Sequence, residues 1–241
     1  MSSETGLRPD GQTTKILSTD DLKTSWQDYS IESLYNPMGK RYEDAYGHIP
    51  EQAQSLNWLI SQLPPGSKVL DIGSGTGKPT ADALTSAGHA VHGIDISDSM
   101  LDVARKQVPL ATFQKIDFRD FTAEPATYDA ITSYFAFLLA MPQAQIREMI
   151  QKIHGWLKPG GFFVFSTVPA DIEHLPAQWL GNDVILTSMS EDQYAECFRE
   201  TGFEIVHQKT SVFVPKAAEA GLCKPEETGE EHQLYMYVKK V

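Results

Sequence analysis

Three glycines at alternate positions, Gly73, Gly75 and Gly77, close the apolar run Val69-Leu70-Asp71-Ile72, and further acids follow at Asp95 and Asp117. Glycine reaches positive φ without strain and has no Cβ, so such a turn can bring backbone N–H groups against a bound molecule. An acid about twenty residues further on, such as Asp95, can hold a ribose, because a carboxylate offers two acceptor oxygens to a vicinal diol. The combination points to an adenosine-containing cofactor. Two other glycine motifs fail on spacing. A nucleotide P-loop needs Gly, four residues, then Gly-Lys-Ser/Thr, whereas Gly77-Lys78 is followed by Pro79 and the leading position is Ile72. A dinucleotide fingerprint needs a small residue where this chain has Lys78.

The elements that must position these residues alternate along the chain. The sequence predicts strands at Lys68–Ile72, His89–Asp95, Ala111–Asp117, Tyr128–Ser133 and Phe162–Val168. Helices are predicted between them at Lys78–Ala87, Ser97–Gln107 and Gln143–Leu157. Ala53, Leu56, Leu59, Ile60 and Leu63 recur at helical spacing after Pro50, and Pro64-Pro65-Gly66 ends that helix. Regularity lapses from Pro169 to a helix at Glu191–Thr201. Two closing strands, Glu204–Val214 and Gln233–Val241, flank an acidic stretch, 219–232, that reads as a solvated loop. Alternating strands and helices predict an α/β fold: a doubly wound, mostly parallel seven-stranded sheet with an antiparallel edge hairpin. Residues 1–20 are expected to be a disordered tail, with Ser18 placed to cap a short helix through Trp26, and 21–241 a single domain.

Composition narrows the partners. A net charge of −12 with no Lys/Arg cluster argues against nucleic acid. The longest apolar run, Phe135 to Met141, falls far short of the roughly 20 residues of a membrane span. The polar first twenty residues do not read as a secretory signal. Cys197 and Cys223 lack metal-ligand spacing, which predicts no metal site and reduced thiols in a cytoplasmic protein.

The motif Asp71-x-Gly73-x-Gly75-x-Gly77 strongly resembles that of the class I S-adenosylmethionine-dependent methyltransferases, in particular the small-molecule group that includes the ubiquinone/menaquinone methyltransferases. Gly93-Ile94-Asp95, Ile116-Asp117-Phe118 and Leu157-Lys158-Pro159-Gly160-Gly161 follow in that family's order, and the resemblance covers about 66–168 well. It implies S-adenosyl-L-methionine as cofactor, a Rossmann-like methyltransferase fold, and a cofactor-binding core at 66–168. It further implies an N-terminal helical lid at 21–63 and an acceptor-pocket segment at 169–190. By the same resemblance Gly73, Ser74, Gly75 and Gly77 pass beneath the methionine half and Asp95 takes the ribose hydroxyls. Ile96 and Met100 cover the adenine, Asp117 accepts from its amino group beside Phe118, and Ser133 lies near the ammonium. Asp71 is expected to hold the glycine loop and, indirectly, the cofactor's amine.

Relatives often carry histidines just after the fourth core strand, where this chain has Leu138 and Leu139. Tyr46 and His48, in the lid, and His174, in the 169–190 segment, are the remaining candidates for a catalytic base. Tyr29, Tyr35, Tyr42 and Tyr46 are placed for cation–π contact to a sulfonium. Trp26, Tyr134, Phe135, Phe137, Trp179 and Leu180 are expected to line an apolar pocket. The implied partner is a small, largely apolar acceptor with an acidic hydroxyl, and O-methylation is favoured. The alternative is a protein of this fold that binds the cofactor but catalyses a non-methylating reaction or acts as a binding module.

Overall fold

The computed structural model describes residues 15–17 and 29–241, with backbone only for Lys15 and Ile16. Its centre is a seven-stranded sheet. The chain enters through β1 (Lys15–Ile16) and three helices, α1 (Ile31–Tyr35), α2 (Lys40–Tyr46) and α3 (Pro50–Gln62). It then alternates β2 (Lys68–Ile72), α4 (Thr80–Ser86), β3 (Ala90–Asp95), α5 (Asp98–Gln107), β4 (Thr112–Lys115), β5 (Tyr128–Tyr134), α6 (Gln143–Trp156) and β6 (Leu157–Thr167). After β7 (Ile172–Trp179), β8 (Asn182–Ser188) and α7 (Glu191–Thr201), it closes with β9 (Phe203–Phe213) and β10 (Glu231–Lys240).

The sheet order is β4-β3-β2-β5-β6-β10-β9. β2 through β6 run parallel, and β10 lies antiparallel between β6 and β9. Order reverses between β3 and β5 on either side of β2, so the carboxyl ends of these strands open a crevice there, as expected of doubly wound sheets.

Alternation within strands divides the core into two layers. Leu70, Ile131, Phe163, Phe165 and Met236 point to the face covered by α6 and α7, against Ile146, Ile150, Ile153 and Phe198. Val69, Ala130, Val164 and Tyr235 point to the other, against Leu56 and Leu59 of α3 and Leu84 of α4. The glycine turn therefore springs from a strand buried on both faces.

Two expectations require correction. The 169–190 segment is not irregular: β7 and β8 form a hairpin, and β1 adds to β7 to complete a separate antiparallel sheet ordered β1-β7-β8. Residues 15–17 are likewise not a free tail, because Lys15 and Ile16 pair with Gln178 and Ala177 and Leu17 N–H donates to the Pro176 carbonyl. The expected helix from Ser18 through Trp26, and Trp26 itself, lie outside the described residues. Among the described residues no helix is long and apolar enough to cross a membrane.

Candidate cofactor and acceptor site

The turn after β2 is built as its composition demands. Gly73, Gly75 and Gly77 have φ of 71°, 51° and 81°, a region that side chains disfavour. A Cβ on Gly73 would stand 2.7 Å from the Ala136 Cβ, so Gly73 is a close-packing position. A Cβ on Gly75 would meet nothing within 4 Å, because this residue faces open space in the cleft. A Cβ on Gly77 would press on Phe113 and Val108 at 3.1 Å, and this glycine packs the turn against the core. The Gly73 and Ser74 N–H groups both donate to the Ile94 carbonyl, which fixes the turn to the end of β3.

Asp95 ends β3 and is the turn's main anchor. Its Oδ2 accepts from Gly75 N–H and its Oδ1 from Ser97 N–H, both at 2.8 Å. Burial raises its pKa, and those backbone donors partly offset the rise. The carboxylate so held lines a cleft of about 740 Å³, partly open to solvent, together with Gly73, Gly75, Ile96, Met100, Asp117 and Phe118. Asp117 is clamped by Arg119, whose Nε lies 2.9 Å from both carboxylate oxygens and whose Nη2 also donates to Oδ2. Burial works against ionisation of Asp117, but Arg119 overrides it and holds the carboxyl below its ordinary range.

A second space, about 530 Å³ with its mouth, lies on the other side of the turn and is lined by Asp71, Ser74, Lys78 and Thr80 among others. Asp71 does not hold the glycine loop as expected. Its Oδ1 accepts from Thr132 Oγ1 at 2.7 Å, and its buried Oδ2 has no hydrogen-bond partner among the described residues. Burial pushes its pKa up to about 7, against the pull of Thr132 and with a further push from Asp95. An orphaned carboxylate oxygen and a lysine lining one chamber suit the ammonium and carboxylate of an amino-acid tail. The adjoining cleft supplies a carboxylate for a ribose and apolar cover for a base, so the residues present fit S-adenosylmethionine.

The third space, about 840 Å³ with its mouth, is bounded by Leu138, Leu139, Ile172, Leu175, Leu186 and Trp179. The β7–β8 hairpin thus forms its far wall. Tyr42 and Phe135 line all three spaces, and Tyr35 lines two of them. Phe135 sits at φ 59°, an unusual conformation for an aromatic residue, immediately after β5. Its backbone N–H is fixed on the Ser166 carbonyl.

The lid helices are fastened over these spaces. Glu43 of α2 accepts from Thr76 Oγ1 at 2.6 Å and from Gln107 Nε2 at 2.7 Å. Asn36 accepts from Ser97 Oγ through its side chain at 2.7 Å and from Ser99 Oγ through its carbonyl at 2.8 Å. Tyr35, Tyr42 and Trp179 pack edge to face at 5.6–6.3 Å, while Tyr42 and Tyr46 stack at 4.7 Å.

Several expected residues are placed elsewhere. Ser133 is fully buried in β5 and lines none of the three spaces; Tyr134 and Phe135 face them instead. Phe137 and Leu180 are core residues. His48 is exposed with its ring on Phe213, and His174, at φ 52° in β7, lines none of these spaces. Tyr46 does line the third space. The sequence reading missed Glu231. The 219–232 stretch is not solvated at its end, because β10 begins at Glu231 and carries that carboxylate into the third space. The signal was available: Glu231, Gln233, Tyr235 and Tyr237 alternate onto one face of a strand.

Comparison with known proteins bears on what such a site is for. A family model described as a methyltransferase domain matches residues 69–161. The ubiquinone biosynthesis O-methyltransferase of a Shewanella species is 33% identical over 182 residues, covering 71% of this chain and 69% of that protein. The biotin biosynthesis bifunctional protein BioHC of Cellvibrio japonicus is 36% identical over 130 residues, covering 53% of this chain and 25% of that one. The chain spans 25% to 65% of the length of several curated relatives it matches. The fold is similar to that of the Burkholderia thailandensis 1,6-didemethyltoxoflavin-N1-methyltransferase, with a TM-score of 0.66 over 95% of both chains at 18% identity. With the glycine turn, the carboxylate ending β3 and these likenesses together, the chain belongs to the S-adenosylmethionine-dependent methyltransferases.

Proposed function

We propose that the protein transfers a methyl group from S-adenosylmethionine to a hydroxyl of a small, largely apolar acceptor. The observation that carries this reading is the junction at Tyr42 and Phe135, where an apolar chamber meets both spaces flanking the glycine turn. The cofactor, when bound, supplies an electrophilic methyl on a sulfonium. Asp95 takes the ribose, and Ile96, Met100 and Phe118 enclose the base, with Asp117 at its polar edge. Asp71 and Lys78 take the amino-acid tail, and the Gly73–Gly77 turn passes beneath it. The chain's remaining work is alignment, exclusion of water and receipt of the hydroxyl's proton, for which the Glu231 carboxylate in the acceptor chamber is available as the oxygen–carbon bond forms and the carbon–sulfur bond breaks. Tyr35, Tyr42 and Phe135 present aromatic rings at the junction, where they favour a cation. The sequence similarity to an O-methyltransferase supports oxygen as the acceptor atom.

The test is turnover with methyl-labelled S-adenosylmethionine and a panel of apolar phenols, with matched amines, thiols and carboxylic acids as controls. Label in a phenol ether together with S-adenosylhomocysteine is expected. Conversion of an acceptor with no S-adenosylhomocysteine formed, or label confined to amines or thiols, would overturn it.

A further inference from the structure

The acceptor chamber contains a group that its apolar walls do not require. Glu231 Oε1 accepts from Tyr46 Oη at 2.7 Å and from Trp179 Nε1 at 3.2 Å. Among the described residues its Oε2 has only the Gln233 side-chain amide, at 3.4 Å. Two donors converging on one oxygen favour the ionised form and leave the other oxygen with capacity to accept. Burial nonetheless raises the pKa of this carboxyl, offset in part by Tyr46 and Trp179. The titratable groups around it are Tyr35, Tyr42 and Tyr46 from the lid, Tyr235 from its own strand, and Glu230. Among the described residues, those lining this chamber include no lysine, arginine or histidine.

We infer that Glu231 selects the acceptor: its Oε2 accepts the hydrogen of an uncharged hydroxyl on an apolar body, and its charge turns away carboxylate and phosphate acceptors. An anion in this chamber would face Glu231 with no cationic side chain to compensate, and like charges placed together without water repel strongly. A neutral hydroxyl satisfies the same oxygen without that penalty. The inference rests on the methyltransferase reading, because it takes this chamber to be the acceptor's. The apolar walls alone disfavour an anion, but a purely structural Glu231, tying α2 and β7 to β10 through Tyr46 and Trp179, would leave that preference unmoved when its charge is removed.

The test is equilibrium dialysis at neutral pH with S-adenosylhomocysteine present, using 2-naphthol and 2-naphthoate as probes of similar shape, one neutral and one anionic. Wild-type protein is expected to bind 2-naphthol at least about tenfold more tightly than 2-naphthoate. Glu231→Gln keeps an acceptor and removes the charge, and is expected to shrink that preference by about tenfold, mainly by tighter 2-naphthoate binding. Equal binding of the two probes by wild type, binding of neither, or an unchanged ratio in Glu231→Gln would overturn the inference. The wild-type ratio stands as a test even if the variant does not fold. Calorimetry with S-adenosylhomocysteine alone separates the two readings: no binding of that nucleoside sinks the methyltransferase reading, whereas binding without charge discrimination sinks only the role of Glu231.

Discussion

Replacing Asp71 by asparagine is expected to make the protein more stable at neutral and alkaline pH while weakening its hold on the cofactor. Asp71 is fully desolvated in β2, with Oδ2 unpartnered and its pKa pushed from 3.8 to about 7. A folded-state pKa above the unfolded value means that the folded form binds more protons between those two limits, so stability falls as pH rises through the window. Above pH 7 the full penalty is present, roughly 4 kcal/mol at 1.36 kcal/mol per pKa unit. Asparagine removes that charge and retains an acceptor for Thr132 Oγ1, but its amide N–H groups then need partners, at about 1–3 kcal/mol. The cleaner readout is the slope. The stability of Asp71→Asn relative to wild type should rise by roughly 2.5 kcal/mol between about pH 5 and pH 8, and level off above that. Urea denaturation of both proteins across this range measures it, and titrating groups that do not interact with Asp71 cancel in the difference. A difference independent of pH would refute the claim that a buried, unpaired carboxylate stands behind the glycine turn. The companion measurement is calorimetric: wild type should release about half a proton on binding S-adenosylhomocysteine at pH 7, as the incoming ammonium completes the ionisation of Asp71. Asp71→Asn should bind at least about tenfold more weakly, without proton release.

Other outcomes follow from the same geometry. Asp95→Ala removes the acceptor of the Gly75 and Ser97 N–H groups, and should weaken S-adenosylhomocysteine binding by about 2–3 kcal/mol in calorimetry. Gly73→Ala places a methyl group 2.7 Å from Ala136 and should destabilise the fold by about 1–3 kcal/mol. Gly75→Ala meets open space and should show only the smaller left-handed strain, about 1 kcal/mol, so equal losses in the two variants would contradict the packing described. Asn36→Ala releases α1 from Ser97 and should raise the cofactor KM several-fold at nearly constant kcat. A loss confined to kcat would show that Asn36 does more than hold the lid.

What the sequence made legible was whatever is decided locally. The helix Glu191–Thr201 is found with the expected ends because Ser190 and Gln193 form a capping box and Gly202 takes the left-handed position at φ 95°. The glycine turn was readable for the same reason, since its backbone conformation is written in its residue types. The β7–β8 hairpin escaped because Pro176 and the left-handed His174 and Leu180 break the strand pattern, and pairing with β1 links residues far apart in sequence. Arg119 was invisible as the partner of Asp117, although only two residues away, because the choice between a ligand and a neighbour is made by side-chain direction. Glu231 was masked by its acidic neighbours: its alternation with Gln233, Tyr235 and Tyr237 marks one strand face, but the pairing of β10 between β6 and β9 is what turns that face inward.

Tyr42 shares with Phe135 the junction common to the three spaces, but it is carried by a helix rather than by the sheet. Any tilt of α2 large enough to admit one ligand therefore reshapes the rooms of the others. A ligand that shifts α2 from one room is then expected to change affinity in the next, by a free energy that reads the same in both directions. A tyrosine on a short, pinned helix thus gives these rooms one movable wall in common.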